Sequence, residues 1–114
     1  MAPVAMRGEV WLVDLDPTLG HEQAGRRSAL VVSADAFNLG PAGLVAVVPM
    51  TTTDRRIPLH VRIDPPEGGL RQTSFAKCED VRSLSVKRLG KRLGVVGQET
   101  IAMVEDRLRI FLDL

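Results

Sequence analysis

The chain has 114 residues, 45% of them hydrophobic and 25% charged, with a formal net charge of +1. Those proportions suit one soluble globular domain, and so small a net charge excludes a chain that holds nucleic acid by overall charge alone. The core of a domain this size is modest, so self-association is a natural supplement.

No apolar stretch approaches the ~20 residues of a membrane span. MAPVAMRGE has too little apolar length for a secretory leader, and its residues 1–6 read as a frayed end. Cys78 is the single cysteine, which rules out an intrachain disulfide and suits a reducing cytoplasm. His21 and His60 lie far apart, and no group of cysteine, histidine and carboxylate has metal-ligand spacing. Neither a metal nor another cofactor is expected.

In chain order, Val10 to Leu15 is a short β-branched run stopped by Asp16-Pro17, the pattern of a buried strand. Ala29 to Ser33 and Leu44 to Pro49 repeat it, with one helical turn expected over Ala34 to Asn38 between them. Leu59 to Ile63 alternates, placing Leu59, Val61 and Ile63 inward and His60 and Arg62 outward. After the tight connection Pro65 to Gly69, a strand is expected from Thr73 to Val81. Period two puts Phe75, Lys77 and Glu79 on one of its faces and Ala76 and a buried Cys78 on the other.

A turn-like stretch around Lys87-Arg88-Leu89 precedes a last strand over Leu93 to Val96. From Gln98 onward, Ile101, Val104, Leu108, Phe111 and Leu112 form the apolar stripe of a helix starting near Gly97. Many short strands with one closing helix predict a strongly curved antiparallel sheet or partly open barrel.

Chemistry concentrates in two places. GHEQAGRR, from Gly20 to Arg27, holds His21, Glu22 and the Arg26-Arg27 pair in a loop between two apolar runs, where a scaffold presents groups to a ligand. Downstream, the run ending in Pro49-Met50 is followed by Thr51, Thr52 and Thr53, and then by Arg55-Arg56. Guanidinium and hydroxyl donors at neighbouring strand ends suit a phosphate, and so a phosphodiester.

The motifs RGEVWLVDLDPT, GHEQAGRR before ALVVS, VVPMTT, FAKCEDVRSL and a terminal helix occur in that order. From Arg7 to Leu114 the chain resembles the MazF/PemK/Kid family, the toxins of bacterial toxin–antitoxin pairs. The resemblance implies an SH3-like barrel that forms a homodimer and cleaves single-stranded RNA, mRNA above all, without a metal. It also implies silencing by an antitoxin with an acidic, partly disordered tail, in a complex able to bind operator DNA. The family's catalytic arginine falls on Arg27 and its catalytic hydroxyl on Thr51, with Thr52 beside it. The loop histidine and glutamate fall on His21 and Glu22. Lys77 and Glu79 stand where the Kid-like branch has an arginine and an aspartate flanking a cysteine.

On this reading Arg27, Thr51, Glu79 and Glu22 are the catalytic set, and His21, Arg26, Thr52, Lys77, Arg55 and Arg56 bind substrate. Arg27 clamps the phosphate with its planar fork and is too weak an acid to give up a proton. Thr51 donates a hydrogen bond, and Glu79 is the leading general base with Lys77 as its charge partner. Ser28 replaces the usual proline after the arginine, which predicts a less rigid loop.

Two rival functions stay open at this stage. One is a CcdB-like gyrase poison, although such poisons use a tryptophan close to the C-terminus and this chain ends Arg109-Ile110-Phe111-Leu112-Asp113-Leu114. The other is an inactive module that only binds nucleic acid or antitoxin.

Overall fold

The structure, a computed structural model, describes residues 4–15 and 25–114. His21 and Glu22 lie outside the described residues. Seven strands follow one another as β1 (Glu9–Asp14), β2 (Arg26–Val31), β3 (Leu44–Thr51), β4 (His60–Ile63), β5 (Ser74–Lys77), β6 (Arg82–Ser85) and β7 (Leu89–Val95). Two α-helices join them, α1 (Asp35–Asn38) and α2 (Gln98–Leu112). The sheet is antiparallel in the order β4-β5-β3-β2-β1-β7, with β6 pairing the first half of β3. It curls into the expected barrel-like form without closing.

Apolar residues of alternating parity bury both faces of this sheet, so β1, β2 and β3 each serve two cores. One joins Val10, Leu30, Val48, Met50, Val61 and Ile63 to Val104 of α2. The other joins Trp11, Val13, Ala29, Val31, Val47 and Leu84. Ala5, within the stretch read as a frayed end, is 3% exposed in the second core.

Several boundaries differ from the sequence expectation. β2 begins at Arg26, so the arginine pair belongs to the sheet and not to the preceding loop. β7 begins at Leu89, four residues early, because its first half pairs with β1 despite its charged residues. The expected strand from Thr73 to Val81 is broken. β5 stops at Lys77, Cys78–Asp80 form a 3-10 turn, and the chain restarts as β6. In α2 the stripe is buried at Val104 only, while Phe111 and Leu112 are exposed.

The turn Glu67–Gly69 sets how β7 and α2 meet. At Gly69, with φ of +70°, a Cβ would stand 2.0 Å from the Leu93 carbonyl oxygen, so only glycine allows this approach. Glu67 Oε2 accepts from the Gly97 amide at 2.9 Å and from Thr100 Oγ1 at 2.5 Å. A carboxylate thirty residues upstream thereby caps a helix whose N-cap, Gly97, has no side chain to do so.

Candidate active site

The site is built by strand register. β2 and β3 pair Val31 with Val47, Leu30 with Val48 and Ala29 with Pro49. The pairing ends at Ala29 and Pro49; Arg27 stands two residues before that pair on β2, and Thr51 two residues after it, at the end of β3. By alternation along each strand, Arg27 shares a face with Ala29 and Thr51 with Pro49. β1 supports Arg27 from its other side, with Val13 opposite it, and β5 supports Thr51 through Phe75. The β1 ladder runs unbroken through Ser28 to Arg26, so the backbone at Arg27 is held in the sheet without the family's proline.

Thr51 Oγ1 accepts the Thr53 amide at 3.1 Å, which uses its acceptor side and leaves its proton for another oxygen. Arg27 is exposed. Ion pairs engage Arg7, Arg62, Lys77, Arg82, Arg92 and Arg107. Among the described residues none engages Arg26, Arg27, Arg55, Arg56, Arg71 or Lys91. Arg26 alternates away from Arg27 and lies over β7, its Nη1 3.6 Å from where a Gly90 Cβ would be. Arg55 and Arg56 sit on the exposed loop after β3, Arg56 at φ of 54° with its amide bonded to Asp54 Oδ1.

The expected ion pair between Lys77 and Glu79 is not formed. Because the strand ends at Lys77, the two side chains no longer share a face. Lys77 Nζ lies 3.6 Å from Asp80 Oδ2, and Arg82 grips the same carboxylate at 2.8 and 3.0 Å. Glu79 Oε2 instead meets His60 Nε2 at 2.9 Å. His60 was expected to face solvent. It does alternate away from Val61 and Ile63, but beneath Glu79 its side chain is only 3% exposed. His60 Nδ1 and Glu79 Oε1 are buried without partners among the described residues.

Cys78 is fully buried, as the period predicted. Burial, reinforced by the Glu79 carboxylate and opposed by Arg107, pushes its thiol up to about 11. No group of three or more metal-ligating side chains occurs among the described residues. No helix of the described chain is long and apolar enough to cross a membrane.

Residues 6–112 match the family described as PemK-like, MazF-like toxin of type II toxin-antitoxin system. The chain is 35% identical over 113 residues to "Endoribonuclease MazF9" of Mycobacterium tuberculosis, a match covering 95% of this chain and 96% of that one. Among solved structures, MazF from Deinococcus radiodurans superposes with a TM-score of 0.87 at 29% identity, over 98% of this chain and 99% of that one. A mycobacterial endoribonuclease solved with its cognate antitoxin superposes with a TM-score of 0.78 at 27% identity, over 97% of this chain and 95% of that one. The family match spans nearly the whole chain, and this protein belongs to the MazF/PemK-like toxins of type II toxin–antitoxin systems.

Proposed function

We propose that the chain is an endoribonuclease toxin that cuts single-stranded RNA, mRNA in particular, at selected sequences and without a metal. The supporting observation is that Arg27 and Thr51 lie at neighbouring ends of β2 and β3, two residues beyond the last pair of those strands, with no ion pair on Arg27 among the described residues and with Thr51 Oγ1 accepting the Thr53 amide. The substrate's 2′-oxygen attacks phosphorus as a base takes its proton. The bond from phosphorus to the 5′-oxygen then breaks as that oxygen gains a proton. The ends produced are a 2′,3′-cyclic phosphate and a 5′-hydroxyl.

Arg27 gives two parallel hydrogen bonds to the non-bridging oxygens, where charge builds up in the phosphorane, and Thr51 gives a third. Proton transfer falls to a carboxylate, either Glu79 or Glu22 of the GHEQ loop. Glu22 can equally orient Arg27. His21, Arg26, Thr52, Lys77, Arg55 and Arg56 hold the flanking strand, with Lys77 anchored by Asp80. The active form is a homodimer in the cytoplasm. Its positive groove takes the acidic tail of an antitoxin, and the pair can bind operator DNA.

Purified protein incubated with single-stranded RNA in EDTA tests this reading. Cyclic-phosphate ends are expected. Intact RNA with stabilised gyrase–DNA cleavage complexes would make the protein a gyrase poison, and intact but bound RNA would make it a binding module.

A further inference from the structure

A recess opens beside Ser28, which alternates away from Arg27 on β2. It encloses about 470 Å³ between β1, β2, β7 and the segment from Gly69 to Ser74. Its floor is apolar, made by Leu12, Leu70 and Leu93. Above the floor stand Ser28, Thr52 and Gln72, and two cations, Arg71 and Lys91, close the rim. Both cations are exposed and form no ion pair with the described residues, whereas Arg62, Arg82 and Arg92 are all engaged. Gly69 packs closely on the Leu93 backbone at one wall of the recess.

Its position along the chain gives it meaning. Ser28 and Thr52, both in its lining, directly follow Arg27 and Thr51 in the chain, and Ser28 alternates away from Arg27 on β2. A strand whose phosphate lies between Arg27 and Thr51 therefore meets this recess as it passes the ends of β2 and β3.

We infer that the recess seats one nucleotide of the RNA beside the cut and reads its base. This rests on the nuclease reading and assigns that site's sequence selectivity. The chemistry fits a nucleotide. A flat apolar base face covers the leucines, and its edge meets a side-chain amide and hydroxyls that both donate and accept. The two cations hold the phosphates on either side. With no aromatic side chain in the lining, selectivity comes from the base edge and not from stacking.

The test uses Gln72→Leu and Lys91→Ala. Their cut sites are profiled on randomised RNA, and their binding is measured on an oligonucleotide carrying a 2′-deoxy sugar at the cut. Gln72→Leu should weaken base preference about tenfold at one position adjoining the cut and leave other positions unaltered. Lys91→Ala should reduce the log–log salt slope of binding by about 0.7, the loss of one phosphate contact on a single strand. Unchanged cut-site profiles and salt slopes in both variants would overturn the inference. If wild-type protein fails to cut RNA yet its binding depends on Gln72 and Lys91, the nuclease reading fails and the recess stands as a nucleotide site.

Discussion

Lys77 is paired with Asp80, its Nζ 3.6 Å from Oδ2. The pairing leaves Glu79 to His60, 2.9 Å away, and separates the lysine from the carboxylate that sequence period had placed beside it. One 3-10 turn, Cys78–Asp80, causes the exchange.

That exchange bears on which carboxylate moves the proton. If Glu79 is the base, Glu79→Gln removes the acidic limb of the pH–rate profile, and His60→Gln, which takes away its partner at 2.9 Å, lowers the rate. If Glu22 is the base, Glu22→Gln has the first effect and both Glu79 and His60 variants keep a wild-type limb. Profiles of the three proteins on one RNA distinguish the outcomes.

Thr51→Val keeps the shape of the side chain and removes the hydroxyl. The donated hydrogen bond to phosphate is lost along with the Thr53 cap. A cost of about 1.4 kcal/mol in the transition state lowers the rate about tenfold. Single-turnover cleavage measures it, and a melting temperature within a few degrees of wild type shows that the fold has survived.

Gly69→Ala is expected to be severely destabilising. The new Cβ would sit 2.0 Å from a backbone oxygen, which cannot swing aside as a side chain can, and at a φ that disfavours alanine. Loss of several kcal/mol, read from urea unfolding, is the expected result. Glu67→Ala, which uncaps α2, should cost about 1 kcal/mol by the same measurement.

Cys78 should resist alkylation in the folded state. Its thiol titrates near 11 instead of 9, so thiolate is scarce at neutral pH and the buried sulfur is out of reach. The sign for stability follows. Above about pH 9 the unfolded thiol ionises first, so this group's contribution declines from there toward pH 11. Mass spectrometry after iodoacetamide at pH 8 should find labelling only once denaturant is added.

Much of this architecture could be read directly. Strands with β-branched runs, such as VWLVDL and LVAVVP, announced themselves, and the stripe from Ile101 to Leu108 marked α2. The start of β7 could not be read, because Gly90, Lys91 and Arg92 carry no strand pattern and the segment is held by the pairing of Leu89 and Arg92 with β1. Nor could the break at Lys77, since period two runs on unaltered through Cys78 and Glu79 and nothing in the residue types forces a turn.

Within the candidate site, Arg27 and Thr51 were singled out from motif and position, and the structure sets them at neighbouring ends of β2 and β3. Asp80, Arg82, Arg71 and Gln72 were not singled out. Their roles depend on neighbours distant in sequence, and an isolated charge on a strand or turn carries no signal of its own.

A double-mutant cycle of Arg27→Ala and Thr51→Val, read by cleavage rate on one defined RNA, tests the central claim most directly. Arg27→Ala alone should lower the rate by roughly 10²–10³. If both side chains grip one scissile phosphate, the double variant loses less than the product of the two single losses. Strictly multiplicative losses, or near-wild-type cleavage by Arg27→Ala, would contradict it.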